Sequence, residues 1–535
     1  MPKSPKKSPK SPKKSSKPKQ SPRIQCKLVC SSPVRVRRSP KPQHARLAPA
    51  PAPAPKSPSR KKRQSLGRSY LKGGLFKGAG TYGCGFTNPL ATIGATGAKS
   101  AGARIGKIMT VADAETELVA MRPFMALDPI GQWGVYASDA APLHVDLATA
   151  VESAGGQPEL AQCHVESLQS ASRIAVGASL KAPGQERQAY IDKEIKTITK
   201  IKQKFAELTA AWNAMDPGPE KTKKEVDRYI FYQTHSSDIE YDGMDQLEFN
   251  LASAGDMDKA IAALQSDVGR PTFSVVLIHA HLMAFSNLTR GLAAYHVNSL
   301  VHRDIKPKNI VLASGTLDAP GEYKFIDFGA SLPLQKAATD NYQAEPYLYW
   351  PIYTLDAFLR IAKTNDDDIT KIVAAHKGKV ENYKYEWLPQ WMNTTETLKK
   401  AQKNLLSLVK SSSPGAVAAI HADLFALYIP TLAELYWSLT GVRFTHDATE
   451  IPMTEAAFEI YPPLDPSPTF ATSEFGKLVS MALAQLMVDV SWGVVSNAVD
   501  AAARFQIILD MFVLPKPAVI VQALGKLAGT KQRRR

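Results

Sequence analysis

His302-Arg303-Asp304-Ile305-Lys306-Pro307-Lys308-Asn309 is the stretch on which the reading of this 535-residue chain turns. It sets a carboxylate at 304, a cation at 306 and a carboxamide at 309, and the apolar run Ile310-Val311-Leu312 follows as an expected strand. A carboxylate can accept the proton of an attacking hydroxyl. An ammonium can neutralise charge on a phosphoryl group in flight, and a carboxamide oxygen suits a hard metal ion. The spacing H-R-D-x-x-x-x-N therefore assigns Asp304 to the acceptor hydroxyl, Lys306 to phosphate and Asn309 to magnesium, with His302 and Arg303 completing the loop.

The other parts that this chemistry needs occur in order around the loop. Downstream, Phe325-Ile326-Asp327-Phe328-Gly329 reads as a strand running into a second metal ligand, Asp327. Upstream, Gly78-Ala79-Gly80-Thr81-Tyr82-Gly83-Cys84-Gly85-Phe86 has the G-x-G-x-x-G spacing. Its glycines let backbone N–H groups approach phosphates closely. Gly85 stands where an apolar residue is expected, so Phe86 is assigned the packing on adenine. Lys107, in Ile105-Gly106-Lys107-Ile108-Met109, is an unusual cation between apolar strand residues. It needs an acidic partner on the next helix, expected over 113–126. Glu117 fits best, with Glu115 and Asp113 as alternatives.

Taken together, GAGTYG, Lys107, HRDIKPKN and DFG resemble the eukaryotic protein kinase family over roughly residues 71 to 520. The resemblance implies an α+β, bilobal protein-kinase fold, with a β-rich N-lobe, a helical C-lobe and ATP with Mg2+ in the cleft between them. It implies a protein substrate, and Lys306 points to the serine/threonine branch. Ile239-Glu240-Tyr241-Asp242-Gly243 is similar to the hinge that contacts adenine, with Ile239 as gatekeeper. His421-Ala422-Asp423-Leu424 resembles the helix whose Asp braces the catalytic loop. Arg303 resembles kinases switched by activation-loop phosphorylation, with Ser331, Thr339 and Tyr342 as acceptors. The chain departs from the family after DFG: no Ala-Pro-Glu follows, and Tyr347-Leu348-Tyr349-Trp350-Pro351-Ile352 stands in its place. That departure resembles the divergent kinases of large DNA viruses. It also leaves a pseudokinase or scaffold as the alternative.

The lobes are expected over 71–245, with an insertion over about 128–228, and over 246–520, with an insertion over about 352–415. Residues 186–212 read as a helix, because Ile191, Ile195, Ile198, Ile201, Phe205, Leu208 and Trp212 form one apolar stripe. Residues 228–241 read as a strand running into a connector.

Charge marks off the N-terminus. The chain carries a formal +17, yet residues 1–70 hold 21 Lys and Arg and no acid, so the remainder is close to −4. The tail is rich in Ser-Pro and in Ala-Pro, a composition expected to stay disordered. It points to nucleic acid, to nuclear or virion targeting, or to modification by proline-directed kinases. A small basic tail ends the chain at 521–535. Four cysteines, Cys26, Cys30, Cys84 and Cys163, show no disulfide framework, and a reducing intracellular compartment is expected. No secretory signal or long uninterrupted apolar run stands out, so a membrane partner is not expected.

Overall fold

Strand β3, Arg104–Thr110, organises the first layer. It pairs antiparallel with β2, Cys84–Thr87, and with β5, Met244–Asn250. With β1, Leu75–Ala79, and β4, Leu143–His144, these form a five-stranded sheet of order β1-β2-β3-β5-β4. Alternation along a strand separates two faces. Lys107 stands opposite Gly85 and Leu247, and Met109 and Leu247 belong to the main core. Cys84, Phe86, Ile108 and Met244 point the other way, into a separate cluster. The computed structural model describes residues 75–79, 83–87, 104–147, 150–151, 159–250, 255–266, 274–337, 400, 403–405, 407–408, 413–444, 458–460, 470 and 473–513.

Helix α1, Val111–Leu127, follows β3 directly. Thr110 caps it by accepting from the Asp113 N–H at 3.1 Å. Ala114, Glu117, Leu118, Met121 and Phe124 make its buried face, at helical spacing. Asp128 then closes a tight turn by accepting from the N–H groups of Gln132, Trp133 and Gly134. Val135 N–H donates to Phe325 O at 2.9 Å, and Ser138 N–H to Glu248 O at 2.7 Å. Residues 128–144 thus stitch the sheet to the second layer. The insertion expected to begin at 128 begins only after β4.

The insertion is helical. It contains α2, Gln169–Ser179, α3, Gln185–Asn213, and α4, Pro219–Glu240. Helix α3 matches the expected 186–212. Helix α4 overturns the strand expected over 228–241. Tyr229, Ile230, Phe231 and Tyr232 favour strands by residue type, but here they ride on a helix paired with α3, with Tyr232 against Phe205 at 5.8 Å. The insertion packs on the sheet face that holds Phe86, and a disulfide joins Cys84 of β2 to Cys163. The expectation that the cysteines stay unpaired is therefore corrected; a bond across 79 residues leaves no spacing signal in the chain.

Strand β5 closes the first sheet, so the layer boundary expected at 245/246 falls after Asn250 instead. The second layer is mainly helical: α5, Met257–Gln265; α6, Val275–Val297; α7, Pro414–Ala426; α8, Leu432–Thr440; α9, Glu474–Ser491; and α10, Ala498–Asp510. A π-turn, Leu427–Thr431, joins α7 to α8 around Pro430. Small antiparallel pairs are inserted: β6, Leu300–Val301, with β9, Leu332–Pro333; β7, Ile310–Gly315, with β8, Pro320–Phe325; and β10, Val442–Phe444, with β11, Phe458–Ile460. The fold is mixed α and β. Pro414–Thr440 is the one stretch among the described residues long and apolar enough to cross a membrane, and 89% of its apolar window is buried inside the protein. It is the central core helix of this layer. The 1–70 tail, the 521–535 end, most of 352–415, the segment 347–352, Thr339 and Tyr342 lie outside the described residues.

Candidate active site

Lys107 is the hub. Its Nζ donates to Glu117 Oε2 at 2.7 Å and to Asp327 Oδ1 at 3.2 Å. Strand β3 fixes the lysine, α1 the glutamate and the end of β8 the aspartate, so three elements meet at one ammonium. Burial alone would push the Lys107 ammonium down, but Glu117 and Asp327 outweigh it and hold it above its ordinary value. Burial raises the Glu117 carboxyl against the pull of Lys107. Burial works on Asp327 in the same sense, but Lys107 overcomes it and holds that carboxyl below the usual range.

The loop from 302 to 309 sits beside this hub. Lys306 Nζ donates to Asp304 Oδ2 at 2.8 Å, and Asn309 Nδ2 donates to the same oxygen at 2.7 Å and to Asp304 O at 2.8 Å. That ties down the nitrogen of the Asn309 amide and leaves its oxygen for a cation. The β7–β8 hairpin brings Asn309 to Asp327, because Ile326 N–H donates to Asn309 O at 2.9 Å. A carboxylate and an amide oxygen form a hard donor pair that suits magnesium. Arg303 and Asp327 both adopt left-handed backbone, at φ 70° and 61°. Such conformations persist only where surroundings impose them.

For Arg303 the surroundings are plain. Asp423 on α7 accepts from the N–H of His302 and of Arg303, each at 2.7 Å, and from His296 Nε2 at 3.1 Å. Burial holds the His302 imidazole below its ordinary value, and the ring packs on Phe325 and Phe328. Phe328 in turn packs on Phe124 of α1 at 4.9 Å. Helix α1 therefore contacts both halves of the site, through Glu117 and through Phe124.

Gly78 and Ala79 lie in β1, while Gly80, Thr81 and Tyr82 lie outside the described residues. Gly83 packs against β3, where a Cβ would meet Ile108 O at 2.6 Å. Phe86 is on the opposite sheet face from Lys107, so it cannot pack on an adenine beside that lysine. Ile239 and Glu240 end α4, and Tyr241 is buried in the same cluster as Phe86. Asp242 accepts from the N–H groups of Val111 and Ala112 at 3.0 Å each. These four precede β5, at the Thr110 end of β3, and do not follow it as a connector between the layers would. The chain enters the second layer after Asn250 instead, where Leu312 N–H donates to Gly255 O at 3.1 Å. Ser331 is fully buried and donates to His302 O at 3.0 Å, so it is no exposed phosphoacceptor. The Asp128 turn has a local signal, an acid followed by Pro129 and Gly131, whereas the Cys84–Cys163 bond has none.

No family model matches the chain. Three curated proteins match short stretches. The serine/threonine-protein kinase CAK1 of Saccharomyces cerevisiae is 38% identical over 65 residues, 12% of this chain and 17% of its own length. The probable serine/threonine-protein kinase PkwA of Thermomonospora curvata is 50% identical over 52 residues, 10% of this chain and 6% of its own. A calcium/calmodulin-dependent serine/threonine-protein kinase of Malus domestica is 46% identical over 44 residues, 8% and 10% of the two chains. The chain thus spans under a fifth of the length of each relative, and over those stretches it resembles serine/threonine protein kinases.

Proposed function

We propose that this chain is an ATP-dependent serine/threonine protein kinase with a bilobal kinase fold. The observation that carries the reading is the convergence of Lys107, Glu117 and Asp327 beside Asp304, Lys306 and Asn309. Lys107, kept charged by its two acids, is suited to holding the phosphates of ATP. Asp304 accepts the proton of a Ser or Thr hydroxyl as that oxygen attacks the γ-phosphorus. The bond from that phosphorus to the β-bridging oxygen breaks and ADP leaves. Lys306 offsets charge on the group in transit. Asp327 and Asn309 would hold magnesium, which supplies charge neutralisation on the phosphates. The 1–70 tail adds a basic segment for nucleic acid or for nuclear or virion targeting.

The test is magnesium-dependent transfer of labelled phosphate from ATP to a basic Ser/Thr protein by the full chain. Asp304→Ala is expected to lower the rate by about 10²–10⁴, the range for removing a positioned acid–base group. Transfer that survives both Asp304→Ala and Asp327→Ala overturns the assignment. A binding-only role is favoured by the bare Gly85 opposite Lys107 and by the missing Ala-Pro-Glu, and absence of transfer with retained ATP binding would select it.

A further inference from the structure

We infer that Asp242, at the exit of the helical insertion, is a positioning residue that acts through α1 to keep Glu117 on Lys107; this rests on the kinase reading of the site. The opening N–H groups of a helix have no partner within it. Here Thr110 Oγ1 takes the Asp113 N–H, and the Asp242 carboxylate takes those of Val111 and Ala112, one on each oxygen. A carboxylate at that end also complements the helix dipole.

The attachment is geometric as well as electrostatic. Gly243, at φ +120°, turns the chain so closely past α1 that a Cβ there would lie 3.2 Å from Val111 Cγ2. Tyr241, one residue before Asp242, is buried with Cys84, Phe86 and Ile108. The clamp is thus anchored in the cluster that unites insertion and sheet. A second contact from the insertion reaches the same turn, where Ser167 Oγ donates to Asp113 Oδ2 at 3.5 Å.

Glu117 lies less than two turns further along α1, about 9 Å of helix rise from Val111. The far half of α1 is fixed by Leu118, Met121 and Phe124 in the main core. The near half adds Ala114 to that core and is otherwise held by these caps and the insertion. Holding both ends sets the axial and rotational position of α1, and with it the 2.7 Å contact of Glu117 with Lys107. Asp242 touches neither Lys107 nor Asp327 in this arrangement. Its effect on transfer must therefore pass through Glu117.

That dependence gives the experiment, made on the full chain. Asp242→Ala is expected to lower kcat/KM for ATP about 10-fold in the native background and under about 2-fold when Glu117→Gln is already present, since contacts in one chain of action are non-additive. Asp242→Asn, which keeps one acceptor oxygen, is expected to recover part of the loss. An equal factor in both backgrounds overturns the inference. Amide exchange supplies a readout that needs no catalysis. Asp242→Ala should speed exchange at Glu115–Leu118 about 10-fold and leave Phe124 unchanged. Unchanged protection at Glu115–Leu118 overturns the inference whether or not the chain transfers phosphate. Absence of transfer by the native chain, with exchange altered as expected, defeats the kinase reading alone.

Discussion

At the scale of single residues, Asp423 holds the backbone of the loop that carries Asp304 from a separate helix. It accepts from two consecutive backbone N–H groups, those of His302 and the strained Arg303. Asp423→Ala would leave both donors buried without an acceptor, at about 1–3 kcal/mol each. The expected outcome is a fall of a few kcal/mol in urea-unfolding stability and loss of more than about 100-fold in phosphate transfer, the range of a disrupted catalytic arrangement. Unchanged values for both would show that the loop holds itself. The meeting of Lys107 with Glu117 and Asp327, and of Asp304 with Asn309, was legible in the chain because the proposed transfer chemistry restricts both residue type and spacing. Phe86 was not. Which face a strand residue occupies depends on the register of its neighbours, and one position of phase sends it to the opposite side of the sheet. Asp242 shows the same limit, since its partners Val111 and Ala112 lie 131 and 130 positions away in the chain.

At the scale of elements, the insertion is the least legible part and the most consequential for the sheet. Its long helix α3 was readable because seven apolar residues share one stripe. Helix α4 was not, because its Tyr-Ile-Phe-Tyr run favours a strand until α3 is there to pack against. The Cys84–Cys163 bond ties this unit to β2. A crosslink closing 79 residues restricts the unfolded chain by about 4.5 kcal/mol in the loop-entropy account. Adding a dithiol, which is itself oxidised as the two thiols form, should therefore lower the unfolding midpoint of the native chain. Cys163→Ser should show the same lowered midpoint with or without the dithiol. A native chain indifferent to the reductant would mean that packing of the Phe86 cluster alone holds the insertion.

At the scale of the whole molecule, three buried groups of the helical layer contribute to the dependence of stability on pH. His281 on α6 is held between Tyr323 Oη and Leu317 O, and burial brings it down to about 4; burial does the same to His421 on α7. In the unfolded chain both take up protons near 6.5. Between about 6.5 and 4 the unfolded state then binds more protons, so stability falls on acidification, by about 3 kcal/mol for each histidine when the loss is complete. Glu434 on α8 has the opposite sign. Burial, and then Asp258, push it up to about 8. The native state keeps its proton while the unfolded state has released it, so stability falls as pH rises from about 4.5 through 8. Two histidines outweigh one glutamate below 6.5, and only the glutamate acts above it, so these groups place the maximum near pH 6.5. Glu434→Gln imitates the protonated side chain. Its unfolding midpoint should match the native chain at pH 4.5 and exceed it at pH 8, with a flat profile between 6.5 and 8. A variant that still loses stability over that interval would trace the alkaline limb to another group and leave Glu434 without a part in it.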